Sequence, residues 1–171
     1  MRKPKTMTSH QVSVAAEAFA ACLLAQAGCD VAVQYGANQP GHDLVATKGR
    51  KAVKVSVKGS QEGGWGLIQS YKRGLTYAEA ADSWAADQQP DVVFCLVEFS
   101  GVSVGQAPRA YFAWPDEIAG QLKTSRGGHG HTILYEDYTQ RGGIAVNFRN
   151  KLPDSWCASS HRIAHLFEER I

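Results

Sequence analysis

Apolar and polar positions alternate with different periods in different stretches of the chain, and those periods predict its elements. From Ser9 to Ala27 the run VSVAAEAFAACLLAQA is apolar or small on nearly every face. It predicts a largely buried helix with Ser9 as N-cap and Gly28 as its stop. Val31 to Tyr35 alternates as a short strand, and GANQPG follows as a loop. His42 to Thr47 and Lys51 to Lys58 alternate again, on either side of a Gly49-Arg50 turn that suits a two-residue hairpin. GSQEGGWGL reads as a Gly-rich loop. Leu75 to Asp87 reads as a helix that ends before Pro90. Asp91 to Phe99 (DVVFCLVEF) is a continuous apolar run of the kind found in a central strand. Ala110 to Trp114 is a further strand, and Pro115-Asp116-Glu117 opens a short helix. TSRGGHG (124–130) reads as a loop, and His131 to Tyr135 as a strand. A loop through Gly142-Gly143 leads to a closing helix from Ser159 to Glu169.

The order helix, three strands, helix, strand predicts an α/β fold with a central mixed β-sheet flanked by helices. No repeat or linker divides the chain. One domain over residues 9–171 is expected, behind a flexible basic tail of residues 1–8.

Composition narrows the partners. At 171 residues the chain is long enough for one real core, and 44% hydrophobic with 20% charged residues is ordinary for a globular protein. The formal net charge of +2 gives no case for nucleic acid by itself, so any such case rests on where the charges sit. No stretch approaches the roughly 20 apolar residues of a membrane span. The basic N-terminus lacks the uninterrupted apolar region of a signal peptide. Cys22, Cys29, Cys95 and Cys157 are widely spread and form no CxxC pair, which predicts reduced core thiols in a cytoplasmic protein.

The hairpin carries the candidate chemistry. Side chains alternate across a strand, so Val53, Val55 and Val57 share one face and Lys54, Ser56 and Lys58 the other. A turn at Gly49-Arg50 pairs Lys48 with Lys51, Val45 with Lys54 and Asp43 with Ser56. That register keeps Leu44 and Ala46 on the valine face, whereas a slip of one residue spoils both faces. Asp43 and Ser56 are then opposite each other, with Cβ atoms about 5 Å apart, and Lys58 lies one step along. An Asp there suits a hard cation such as Mg²⁺ or Mn²⁺, and a neighbouring Lys suits a water or a developing negative charge. The plainer alternative is a solvated strand face.

Glu17 bears on that choice. It is the one formally charged residue between Val12 and Ala27, and burying a lone carboxylate is costly unless it is paired or binds metal. It either faces a solvent gap, pairs with a lysine, or reaches the hairpin site from the helix.

On these residues the sequence resembles the PD-(D/E)XK (restriction-endonuclease-like) nuclease superfamily: Glu17 in AAEAFAACLLAQAG, Asp43 in GHDLVA, and Ser56-Val57-Lys58 in VKVSVKGS. YFAWPDEI and LPDSWCASSHRI resemble small bacterial members. The resemblance implies a core of a helix, a three-strand meander, a helix and a further strand. It also implies a Mg²⁺- or Mn²⁺-dependent nuclease acting on DNA and compatible with a homodimer. It carries Glu17, Asp43 and Lys58 over as the site: Asp43 and Glu17 on the metal, Lys58 orienting the water. Ser56 departs from the pattern, which places Glu, Asp or Gln two residues before the Lys. In some restriction endonucleases the motif is also Ser-x-Lys, and a helix Glu supplies the missing carboxylate. The resemblance implies Glu17 for that role here, with Glu62 and Glu79 as weaker candidates. The rival is a decayed site that only binds nucleic acid or a protein partner.

Lys48, Arg50, Lys51, Lys54 and Lys58 cluster on one hairpin, with Lys72 and Arg73 nearby in sequence, a patch suited to phosphates or simply to solvent. Trp65 in GGWG suits either stacking on a base or covering the sheet. His161 and His165 stand four apart, but no HExxH or cysteine spacing supports zinc, so they read as surface or capping residues.

Overall fold

The computed structural model describes residues 7–34 and 41–169. The chain runs α1 (Ser9–Gln26), β1 (Asp30–Val33), β2 (Leu44–Lys48), β3 (Lys51–Ser60), β4 (Gly64–Gly66), α2 (Tyr77–Ala86), β5 (Val92–Glu98) and β6 (Arg109–Ala113). It continues through α3 (Pro115–Gly128), β7 (Ile133–Tyr135), β8 (Asp137–Thr139), β9 (Arg149–Lys151) and α4 (Ser160–Glu169). Five strands form one sheet in the order β1-β2-β3-β5-β6. The first three are an antiparallel meander. β5 then lies parallel to β3, with α2 in the crossover, and β6 returns antiparallel. The predicted α/β fold with a mixed sheet is what forms.

Helices cover both faces. Val53, Val55, Val57, Val93, Cys95 and Val97 pack with Ala16, Ala20 and Leu24 of α1 and with Ile163, Leu166 and Phe167 of α4. On the other face Val92, Phe94 and Leu96 pack with Ala80, Ala81 and Trp84 of α2 and with Ile118 and Leu122 of α3. β5 is buried along its whole length, which is why its sequence shows no alternation.

The hairpin register is the predicted one from Lys48 to Leu44, with Lys48 paired to Lys51, Val45 to Lys54 and Leu44 to Val55; the ladder ends before the expected Asp43–Ser56 pair, and the Asp43 amide donates to Val55 O instead. Several other expectations shift. Thr8, not Ser9, caps α1, in a reciprocal capping box with Gln11. Only Val12, Ala16, Ala20 and Leu24 of α1 are buried, because the helix lies on the sheet along one line and its other small residues face outward. Met7 and Thr8, expected in the flexible tail, are held in the fold. Met7 N donates to Gln61 Oε1 (3.1 Å), and Gln61 Nε2 donates back to Met7 O (2.6 Å), so the chain joins the fold by Met7. Residues 1–6, Tyr35 and most of the GANQPG loop lie outside the described residues.

Two segments expected as loops contain strands. Gly64-Trp65-Gly66 pairs with β7, and β8 pairs with β9 around the Gly142-Gly143 turn. The helix opened by Pro115 is longer than expected and breaks at Ser125–Gly127, where Arg126 and Gly127 have positive φ. Of the four cysteines, Cys29 and Cys95 are buried as expected, while Cys22 and Cys157 are exposed. Among the described residues no helix is long and apolar enough to cross a membrane.

Candidate functional site

The candidate site forms where the pairing of β2 with β3 runs out. β2 begins at Leu44, but β3 runs on to Ser60, so the last residues of β3 pair with β5 on one side only. Asp43 stands at that step. Its amide donates to Val55 O (2.8 Å) and its carbonyl accepts from Gln34 N (3.0 Å), which fixes its backbone from both neighbouring strands. Its Oδ2 accepts from Val57 N at 2.7 Å, taking the place of the next ladder carbonyl. Among the described residues no hydrogen bond reaches the other carboxylate oxygen.

Alternation on β3 then presents Ser56 and Lys58 on the α2 and α3 face, opposite the valines. Lys58 is exposed and, among the described residues, makes no ion pair. Ser56 is buried at 5% exposure, against Phe94 of β5, so its hydroxyl is far less open than the strand pattern suggested.

Glu17 comes from the opposite layer. α1 crosses β3 at Gly59, so closely that a Cβ there would lie 2.6 Å from Val12 Cγ1 and 3.1 Å from Val12 O. The buried line Val12, Ala16, Ala20, Leu24 sits on the sheet. Glu17 projects beside it, past the end of β2. Glu17, Asp43 and Lys58 line one open cleft of about 480 Å³, together with Ser60, Gln61 and Glu62. The Glu17 carboxyl is held above the usual range, first by burial and then by the like charge of Asp43, against opposing pulls from Lys58 and His10. Asp43 and Lys58 also line a second cleft of about 410 Å³ with Ser56, His42 and Gln88. The two residues stand on the divide, with Glu17 on one side and Ser56 on the other.

Other expected members lie elsewhere. The Lys54 ammonium pairs with Asp91 (3.0 Å) and donates to Gln89 (3.2 Å). Lys48 sits at the hairpin tip, where its Nζ donates to Ala27 O (3.2 Å), and Arg50 lies in the turn itself. The tip is five residues, roughly 17 Å, from Asp43, and neither side chain lines the cleft. Trp65 is the clearest correction. It is 3% exposed and its indole N–H donates to Lys58 O at 3.0 Å, so it is a core residue that pins β3 and offers no face to a base. Lys72 is half-buried over the Tyr77 ring and Arg73 is exposed beside it, both away from the cleft. Glu62 does line the cleft with Glu17, whereas Glu79 is held in the N-terminal capping box of α2 by Thr76.

Glu98 escaped the sequence reading because it ends an otherwise apolar run. It is fully buried, and its carboxylate accepts from Gly63 N (3.1 Å) and Ser100 N (2.7 Å). Ser60 Oγ accepts from Glu62 N (3.2 Å). Together they fix the loop that walls the cleft. A carboxylate at the last position of a buried strand was the available signal.

Two carboxylates suffice for Mg²⁺, which keeps several waters and takes one or two protein carboxylates. Glu17 and Asp43 meet that requirement in donor type and in facing one cleft, and their mutual repulsion is what a divalent cation relieves. Among the described residues no group of three or more His, Cys, Asp or Glu side chains is gathered as a metal cage. Comparison with family models, with curated proteins and with solved structures finds no match.

Proposed function

We propose that this protein is a metal-dependent nuclease that hydrolyses phosphodiester bonds in DNA in the cytoplasm, on a restriction-endonuclease-like core. The observation that carries the reading is the convergence of Glu17 from α1 with Asp43 and Lys58 from the hairpin on one cleft. The order α1, meander, α2 and parallel β5 supports it as well. Mg²⁺ or Mn²⁺ bound there supplies Lewis-acid polarisation of the phosphate and lowers the pKa of water.

The chain's own residues do the rest. Asp43 and Glu17 hold the cation, and the Val57 amide fixes the Asp43 carboxylate so that it is presented without reorganisation. Lys58, free of ion pairs among the described residues, orients the attacking water and offsets charge developing on the phosphate. Ser56 hydrogen-bonds the phosphate or water from the second cleft.

A non-catalytic nucleic-acid-binding module is the second reading. It is favoured by the Val57 bond that already occupies one Asp43 oxygen, and by Ser56 standing where a carboxylate is expected. Purified protein with Mg²⁺ or Mn²⁺ should nick or cut DNA, and Asp43→Ala and Lys58→Ala should each lower the rate by about 10²–10³-fold or more. Cleavage that persists in both variants overturns the nuclease reading. Calorimetry with Mn²⁺ separates the second one, which expects no binding dependent on Asp43 and Glu17 but intact affinity for DNA.

A further inference from the structure

A strip of aromatic and basic side chains leads away from the cleft wall. β4 carries no side chain on its outer face at Gly64 or Gly66, and Gly64 lines the cleft. Tyr135 of β7 pairs with Gly64, so closely that a Cβ on that glycine would lie 3.2 Å from Tyr135 Cδ1. From there the rings continue. Tyr138 stacks on Tyr135 at 4.5 Å, His131 meets Tyr135 edge-on at 5.4 Å, and Tyr77 lies parallel to His131 at 6.4 Å. All four are half-buried, so each keeps part of its surface in solvent. Two cations sit over Tyr77: Lys72 Nζ at 4.7 Å and the Arg126 guanidinium at 4.9 Å. Arg73 is exposed beside them, and among the described residues none of these three cations is in an ion pair.

The arrangement is held in place rather than left to chance. Arg126 adopts φ 53°, a left-handed conformation that a non-glycine residue rarely takes, at the break in α3. Its amide donates to Asn150 Oδ1 (3.0 Å) and its Nε to Gly130 O (2.9 Å), which leaves the two terminal nitrogens of the guanidinium for a ligand. Gly130 lies against Tyr77 Cβ so closely that any side chain would displace the ring. His131 Nδ1 accepts from Ile133 N (2.9 Å), and burial together with Arg126 holds this imidazole below its usual range, so it stacks as a neutral ring. Of the nearby carboxylates, Glu136 pairs with Arg109 and Asp137 with Arg149, while Glu79, within electrostatic reach of Lys72, is held by Thr76 in the capping box of α2.

We infer that the Tyr77–His131–Tyr135–Tyr138 strip, with Lys72, Arg73 and Arg126, binds single-stranded nucleic acid and leads it past Gly64 to the Asp43 cleft. Rings stack only on bases whose faces are open, and cations beside them hold the backbone, a combination that favours a single strand over a duplex. The second half of the inference, delivery to the cleft, rests on the nuclease reading, whereas the binding itself does not.

The test is fluorescence anisotropy of a labelled oligo(dT) with EDTA present, compared with a duplex of the same length. The wild type should bind the single strand more tightly. Tyr138→Ala and Tyr135→Leu should each weaken binding by about five- to one-hundredfold. Arg73→Met, an exposed substitution that leaves the fold alone, should weaken it less and lower the salt slope by about one. Asp43→Asn should bind at least as well as the wild type while failing to cut. Unchanged affinity in the tyrosine variants with an unchanged salt slope in Arg73→Met, or equal affinity for the duplex, overturns the strip. Cleavage by Asp43→Asn overturns the nuclease reading instead and leaves the strip standing.

Discussion

The two ends of the β2–β3 hairpin carry the same kinds of residues and use them differently. At the tip, Lys48 and Lys51 face each other in a closed register, and each ammonium serves a helix end: Lys48 donates to Ala27 O behind α1, and Lys51 to Phe167 O near the end of α4 at 2.8 Å. Cations on such carbonyls complement the helix dipole and satisfy groups that have no partner within the helix. At the base, β3 outruns β2, Asp43 replaces a ladder carbonyl, and Lys58 has no ion pair among the described residues. A lysine on a fully paired stretch of this hairpin is committed to the fold. The lysine beside the unpaired stretch, Lys58, keeps its ammonium out of any ion pair among the described residues. Strand pairing, more than local charge density, separates the two.

That contrast can be broken by exchanging roles. Lys58→Met should lower cleavage by about 10²–10³-fold and leave the melting temperature nearly unchanged, while Lys51→Met should keep cleavage and lose about 1 kcal/mol of stability. Thermal melts and nicking assays on the two proteins check this, and the same outcome from both substitutions would erase the distinction. Gly59→Ala tests the close crossing that brings Glu17 to the base. The added methyl meets Val12 Cγ1 and the Val12 carbonyl, so the variant should lose about 1–3 kcal/mol by denaturant titration and, by lifting α1, should weaken Mn²⁺ binding as well.

The smallest effect has the opposite sign. Glu17 has a carboxyl held above the usual range by burial and Asp43, so its ionised form destabilises the fold. That loss is absent below the ordinary carboxylate range and complete once pH has risen through the raised value. Glu17→Gln should therefore match the wild type in acid and melt about 1–2 °C higher at neutral pH, a gain kept small by solvent screening, while Mn²⁺ affinity falls. A lower melting temperature at neutral pH would mean that Glu17 is a structural residue.

Much of the base was legible in the sequence because one physical constraint governs it. Val53, Val55 and Val57 must face α1, which fixes the register from Lys48 to Leu44, leaves Asp43 just beyond its end and puts Ser56 and Lys58 together on the other face. Glu17 stood out because a single carboxylate in a run of small residues has to be explained. What the sequence concealed depends on distant partners. Trp65 is buried because Leu134, far along the chain, pairs with it, and no local pattern announces that pairing. β8 and β9 are three residues each, too short to show a period. Ser56 looked exposed on a polar face, but it is buried where it lines the second cleft with Trp84 and Phe94. The strip of rings beside the cleft joins residues from α2, the turn after α3, β7 and β8, and its members have no proximity until the sheet is assembled.

The reciprocal amide pair between Met7 and Gln61 has a practical consequence. Gln61 belongs to the loop that walls the cleft, so the first described residue of the chain is hitched to the same wall as Glu62. A purification handle fused ahead of Thr8, or a truncation that removes Met7, tugs on that wall from outside. Preparations that differ only in their leader are then not equivalent samples of the cleft, and a handle at the opposite terminus leaves the hitch intact.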